Sequence, residues 1–547
     1  MKSSLSTKII IIVSVLLLCG GIAVYSFMRL SSVEQRKDFD LYSLVPQDAV
    51  AVFETDRVVD MLGNISQMSC SQDGYFPQIS KLFGSLSASL EVLQAEVPHA
   101  LSKQMNKVLV SFHRLGTLKE EVLYCALGTG DYDLVESFIE KYASSFPIKS
   151  FEYKGEKIRI YPMQDGQFLS MYLTQDFLAV SFQEKLLEQV IDARNTKHSL
   201  MENSSFKSIY RGKGRNVPSL LYVRMRALPL GAEGDSIRAT VNLSEWMEFD
   251  LKFSEEAIYA SGISYETDTV QGFVHALQKQ QETTGYAGDW LPASTFWYEC
   301  RPLPAERLGE ALDGLPCPPL PDSLILAQRS HAFHAFMEHN ADGRLLVCSF
   351  LPDSSEAPCT VVAMPLKDER KARQRFHAWL NATPRRVGEP RPPRFNPDYE
   401  RYPQSQSYRK YLLPRTLLWG RWTGHAEASL YSYACFYRGR LLWAADARSL
   451  SAYIDAMEKK ALLQDQPLYQ SLTHTLASSY RFLMVADLEP LSSLPNAYSR
   501  LLPTFFLQHA DFFRHFLLAL QFTCTEGIMY PNVTLLYKEE INRSLHL

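Results

Sequence analysis

Apolar and polar positions alternate along two long blocks of the chain, and the blocks match each other. Phe168–Leu228 begins FLSMYLTQDFLAVSFQEKLLEQVIDARN, and Ser432–Leu491 begins SYACFYRGRLLWAADARSLSAYIDAMEK. Each predicts a two-strand hairpin, an amphipathic helix, a short capped helix and a further strand. The turns fall near Thr174-Gln175-Asp176 and Tyr437-Arg438-Gly439. Phe177, Leu178, Leu186 and Val190 match Leu441, Leu442, Leu450 and Ile454 at one constant spacing. Leu200, Asn203, Phe206 and Val223 are matched with Leu462, Asp465, Leu468 and Val485, two residues closer. Asn203 and Asp465 are then both expected at a helix N-cap, where either side chain accepts from free amides.

The pattern extends to the ends of both halves. LVPQDAVAVFETDRVVDML predicts a proline lead-in, a strand and a helix, and DWLPASTFWYECRPLPAERLGEAL repeats it from Asp289. Helix signal covers Ile79–Val97, strands cover Lys107–Arg114 and Glu121–Leu127, and the helix Tyr132–Ala143 has its counterpart at Arg370–Leu380. The first half closes on two alternating runs around Ser254-Glu255-Glu256, and the second closes on QFTCTEGIMYPNVTLLYKEE. Strands outnumber crossover helices and come as adjacent hairpins, which predicts mainly antiparallel sheets. The expected fold class is α+β: two related domains from an internal duplication, with packed helices, preceded by one N-terminal transmembrane helix. The expected boundaries are a cytoplasmic N-terminus (1–8), a signal anchor (9–28), a tether (29–45), a first repeat (46–266), a helical linker (267–288) and a second repeat (289–547). An insertion occupies about 384–422.

The run Ile9–Met28 carries no charged side chain and is long enough to cross a bilayer. Lys2 and Lys8 precede it, which favours an N-terminus inside the cell and the bulk of the chain outside. Leu18 before Cys19 argues against a lipoprotein, and Gly21 and Ala23 offer a cleavable signal peptide as the alternative. The reading is a single-pass inner-membrane anchor with the bulk in the periplasm. A length of 547 residues with 46% hydrophobic content describes a globular chain with more than one core. A net charge of −4 gives no electrostatic basis for nucleic acid. None of the nine cysteines forms a CxxC, and several sit in strand-like runs as core thiols.

The opening segment LVPQDAVAVFE, the strand–helix–strand block and the closing hairpin with Trp246 and Asp250 in WMEFDLKFSEEAIYASG resemble an uncharacterised family. It is a domain-of-unknown-function family (3352) of bacterial envelope proteins, common in Bacteroidetes. The resemblance spans most of the chain beyond the tether. It implies a single-span envelope protein with an extracytoplasmic bulk, and it supplies no catalytic residues.

Chemical motifs are sparse. His331, His334 and Glu338 share a helix face at spacings compatible with zinc, but no HExxH accompanies them, and a solvated face is the simpler reading. Ser204 and Lys207 form S-x-x-K without the rest of that motif set. Gly128 and Gly130 follow a strand without the Lys-Ser/Thr of a phosphate loop. Serine, histidine and aspartate are too scattered in sequence to name a triad, and no motif implies a cofactor. The most unusual composition is Pro384–Trp422, where Arg385, Arg386, Arg391, Arg394, Arg401, Arg409, Lys410, Arg415 and Arg421 face only Glu389, Asp398 and Glu400. Tyrosines and tryptophans, among them Tyr402, Tyr411, Trp419 and Trp422, interleave with these cations. Arginine mixed with aromatics is the composition of interaction hot spots. The expected function is a membrane-anchored, extracytoplasmic binding or scaffold protein whose partner is an envelope protein or an anionic envelope polymer. The alternative is a hydrolase of envelope polymers or lipids with a cleft between the repeats, in which Asp250 is a candidate participant.

Overall fold

The computed structural model describes residues 39–72, 105–113, 120–128, 130–143, 149–163, 166–196, 198–210, 217–227, 244–265, 272–303, 323–353, 357–383, 399–401, 407–414, 416, 431–494 and 502–538. The first half contributes β1 (Ala51–Thr55), β2 (Val108–Phe112), β3 (Glu121–Ala126), β4 (Lys149–Tyr153), β5 (Glu156–Pro162), β6 (Phe168–Leu173), β7 (Phe177–Ser181), β8 (Ser219–Val223), β9 (Trp246–Phe253) and β10 (Ala257–Tyr265). After β11 (Thr283–Thr284), the second half contributes β12 (Thr295–Pro302), β13 (Arg344–Phe350), β14 (Cys359–Pro365), β15 (Tyr399–Arg401), β16 (Ser407–Pro414), β17 (Tyr431–Tyr437) and β18 (Arg440–Ala444). Its last strands are β19 (Ser479–Tyr480), β20 (Phe482–Asp487), β21 (Phe516–Thr525) and β22 (Ile528–Tyr537). The hairpins β17–β18 and β21–β22 turn on Arg438-Gly439 and Glu526-Gly527, all at positive φ, the geometry that matches the twist of the flanking strands.

Across the sheet, the first half runs β4-β5-β6-β7-β3-β2-β1-β8-β9-β10, every neighbour antiparallel. The second half repeats this order in reverse, β22-β21-β20-β12-β13-β14-β18-β17-β16-β15. Between them β10 pairs with β22, and Ser261 lies opposite Asn532. Those two residues hold equivalent places in the halves, because Ser261 pairs with Asp250 and Asn532 with Gln521. A local two-fold axis therefore passes through the seam.

The expected fold class is corrected here. The strands of both halves form one antiparallel sheet, 20-stranded among the described residues, and not the separate sheets of two α+β domains. Met247, Phe249 and Ala257 of the first half also belong to the hydrophobic core of the second. Alternation assigns each strand a buried face but does not say which edge it joins. Two end strands with open backbone groups satisfy each other by pairing. Pairing stops at Ser261 and Asn532, and the next residue of β22 is Pro531, which has no N–H to donate. The transmembrane helix is not supported either. Among the described residues no helix is long and apolar enough to cross a membrane, and residues 9–28 lie outside them.

Helices cover both faces. In the first half, α1 (Val58–Gln67) and α2 (Asp131–Ala143) pack on one face around Phe53, Val110 and Leu123. On the other, α3 (Glu184–Thr196) and α4 (Ser204–Ile209) cover Val52, Leu109, Tyr124, Phe177, Tyr222 and Trp246. Trp246 is fully buried with its ring 5.0 Å from that of Phe206, and burial of such a ring stabilises by about 2–3 kcal/mol. In the second half, α5 (Ser323–Asn340) and α6 (Glu369–Ala382) meet through Phe333, Phe336, Phe376 and Trp379. The helix α7 (Ala447–Glu458) packs on the opposite face, with Tyr453 against Phe350.

Both sets of matched residues shift by one. Tyr124 and Ala363 hold equivalent places and lie opposite Ala179 and Leu442, so Leu442 is the partner of Ala179, not of Leu178. Leu200 N–H donates to Val45 O, and Leu463 N–H donates to Leu291 O, so Leu463, not Leu462, is the partner of Leu200. Asn203 caps α4 by accepting from Ser205 and Phe206. Its structural partner is Gln466, which makes no side-chain cap and precedes Pro467 at the helix start, while Asp465 ends a 3-10 turn. Proline at the first helical position has no N–H to leave unsatisfied, and its fixed φ suits the helix start.

Candidate functional site

The register of β2, β1, β8 and β9 aligns polar side chains along the face of the first half that α3 and α4 cover. Val52 lies between Ser111 and Tyr222, and Tyr222 lies opposite Glu248. Glu54 lies between Leu109 and Leu220, and Leu220 lies opposite Asp250. Residues two apart on a strand share a face, so all of these project to the same side.

Two polar groups result. Around the first, the Tyr42 hydroxyl donates to Glu54 Oε2 at 2.9 Å, and Lys107 Nζ lies 3.6 Å from Glu54 Oε1. The Tyr265 hydroxyl donates to Glu248 Oε2 at 2.8 Å. Tyr222 stands between the carboxylates, its phenol pushed far up by burial and then by the charges of Glu248 and Glu54. Burial and Glu54 do the same to Tyr42. Tyr42 and Tyr222 stay protonated, and Tyr42 acts as a fixed donor to Glu54.

The second group is a relay. His113 Nδ1 lies 2.9 Å from Asp48 Oδ1, His113 Nε2 lies 3.0 Å from Ser111 Oγ, and Ser111 Oγ lies 3.1 Å from the Tyr124 hydroxyl. In the neutral ring, Nδ1–H donates to Asp48 and Nε2 accepts from Ser111, leaving Tyr124 to donate to the serine. Partial burial acts to raise the Asp48 pKa, but the hydrogen bond and charge of His113 outweigh it and hold the carboxyl below its ordinary value. The connectivity is that of a nucleophilic triad, yet its burial is reversed. Ser111 is 0% exposed while the Asp48 side chain is 58% exposed, whereas a hydrolytic triad buries its aspartate and presents its serine.

Neither group recurs in the second half. The paired registers put Cys300 in the place of Glu54, Val485 in that of Tyr222, Ala519 in that of Glu248 and Gln521 in that of Asp250. Cys348 replaces Ser111, and Phe350 replaces His113. Sequence gave the relay half a signal: Ser111 and His113 alternate on one strand, but Asp48 is far from them in the chain and meets them only through the fold.

The basic-aromatic residues fare differently. Arg385, Arg386, Arg391, Arg394, Tyr402, Trp419 and Trp422 lie outside the described residues, and Arg401 ends β15. The Arg409 guanidinium lies 5.4 Å over the Tyr411 ring. Tyr411 itself is 8% exposed and packs on Phe376 and Phe436, so its ring is part of the core and not an outward anchor. His334 Nδ1 lies 3.6 Å from Glu338 Oε1 and His331 is exposed. Among the described residues no His, Cys, Asp and Glu group is placed to hold a metal ion. Asp250 is half-buried on β9. Cys70, Cys125, Cys300, Cys348, Cys359, Cys435 and Cys524 are free thiols, and all but Cys524 are buried.

Fold and site define a protein of one antiparallel sheet, helices on both faces, and polar chemistry concentrated in one of two equivalent halves. A family described as "Protein of unknown function (DUF3352)" matches residues 111–249, a span that takes in Ser111, His113, Tyr124, Tyr222 and Glu248. Crystal form III of TP0453 is similar at 13% identity and a TM-score of 0.23, covering 45% of this chain and 90% of that one. Crystal form I of the same protein gives 14% identity and a TM-score of 0.22, over 42% of this chain and 81% of that one. No curated protein matches the chain.

Proposed function

We propose that the chain is an extracytoplasmic binding or scaffold protein of the bacterial envelope, and that it contacts an envelope component through the arginine-rich stretch. The observation that carries this reading is chemical divergence between equivalent halves without an open catalytic set. The carboxylates of the first half are already held by Tyr42, Lys107 and Tyr265, and the serine of the relay is enclosed. The apolar run behind Lys2 and Lys8 also suits an export signal, which supports a place outside the cytoplasm.

The test is crosslinking in cells of the tagged full chain, followed by purification and mass spectrometry. The comparison protein carries Arg385, Arg386, Arg391 and Arg394 as serine. Deleting Arg385–Arg415 would remove β16, whose Tyr411 and Leu413 are buried, so substitution is the cleaner control. A recurrent partner lost in the variant supports the reading and its surface. A partner retained moves the surface elsewhere, and no partner at all overturns the scaffold.

A second reading, serine hydrolysis, rests on the Asp48–His113–Ser111 distances alone. Incubation with a fluorophosphonate probe separates it from the first. Labelling that disappears in Ser111→Ala supports hydrolysis, and an unlabelled protein removes it.

A further inference from the structure

The helices α2 and α6 occupy equivalent places, each following the strand paired to β2 or to β13. Their charges are opposite. The helix α2 carries Asp131, Asp133, Glu136 and Glu140 against Lys141, and α6 with the residues before it carries Lys367, Arg370, Lys371, Arg373 and Arg375 against Asp368 and Glu369. Ala372, Phe376 and Trp379 turn α6 onto the sheet. Lys367, Arg370 and Lys371 are exposed just before and along the first turn of α6, while Arg375 is exposed on its flank and donates to Asn340 Oδ1 of α5 at 3.0 Å. Both acids are engaged locally: Asp368 caps α6 and lies 3.3 Å from Lys371, and Glu369 bonds Arg373 and the Gly439 amide. Arg409 on β16 adds a cation beside α6. Burial, and then the charges of Arg409 and Arg373, hold the His377 imidazole on this helix below its usual pKa, an imprint of positive potential here.

We propose that the cation-bearing start of α6 docks on an anionic phospholipid surface. The proposal rests on the envelope reading above and names the partner of the neighbouring surface. These cations gather at the exposed start of a helix packed on the sheet, and a cluster of this kind neutralises a plane of headgroups. The first half offers no such face, because α2 carries Asp131, Asp133, Glu136 and Glu140 against Lys141 alone.

The test uses the purified full chain in co-sedimentation with vesicles of phosphatidylglycerol and phosphatidylcholine, against phosphatidylcholine alone. Binding to the anionic vesicles that weakens with salt is expected. Each cation at an anionic leaflet contributes about fivefold, so Lys367→Glu, Arg370→Glu and Lys371→Glu together should reduce binding by at least about a hundredfold. These positions are exposed, and acids in the first turn suit the helix dipole, so a matching far-UV spectrum and melting curve verify folding. Equal binding to neutral vesicles, undiminished binding by the α6 variant, or preference for a soluble polyanion over vesicles overturns the proposal. Binding lost only when Arg385, Arg386, Arg391 and Arg394 are replaced overturns it for α6 while sustaining the reading above.

Discussion

Tyr42 donates its hydroxyl to Glu54, while the residue in the equivalent place of the second half is Gly288. The two halves fill the same space from different sides. A ring enters from the lead-in segment in the first, with Tyr42 against Phe206. In the second, Tyr469 stands where Phe206 stands, and its hydroxyl lies 2.9 Å from that of Tyr298. Glu54, whose charge needs a donor, has become Cys300, which needs none.

Removing the Tyr42 hydroxyl should expose that dependence. Tyr42→Phe is expected to destabilise by about 1–3 kcal/mol, because it leaves a partly buried carboxylate short of a donor. Urea unfolding measures it, and in a double-mutant cycle Glu54→Gln should absorb part of the loss.

Gly288→Ala tests the opposite arrangement. An added Cβ would stand 2.6 Å from Tyr469 Cε1 and 3.0 Å from Gln464 Cβ. The tyrosine must move, and the cost is expected at about 1–3 kcal/mol. Thermal melting should show the loss in Gly288→Ala and a partial recovery when Tyr469→Leu is added.

The shifted equivalence predicts unequal caps. Asn203→Ala should cost about 1 kcal/mol, since its side chain serves two amides of α4. Gln466→Ala should be close to neutral, because that side chain makes no cap bond. Equal effects in chemical denaturation would contradict the one-residue shift.

The relay predicts a pH dependence. The folded pKa of Asp48 is lowered relative to the unfolded chain. Its contribution is therefore present above the ordinary carboxylate range and is lost as pH falls through the folded value. Asp48→Asn should be less stable than the parent near neutrality, and the gap should narrow in acid. Denaturation curves taken across that range would show a constant gap if His113 did not hold the carboxylate.

Much of the architecture was legible. Alternation placed β6, β7, β17, β18 and the closing hairpins, and the Arg438-Gly439 turn is where its residues put it. Candidate chemistry was less so. Composition groups Tyr411 with the aromatics interleaved among cations but does not report a residue's face, and the strand register turns it inward. The match of Asn203 to Asp465 failed because two polar residues adjoin at that turn, and only the hydrogen bonds of Leu200 and Leu463 decide between them.

By itself the sequence determined the local elements and their repetition, since a side-chain period of two or of 3.6 is written in neighbouring residues. Tertiary structure alone decided that β10 joins β22 in one sheet, that Tyr42 reaches Glu54, and that Asp48, His113, Ser111 and Tyr124 meet. The reason is physical. Periodicity names the face a side chain occupies, but its neighbour on that face is set by pairing between strands far apart in the chain.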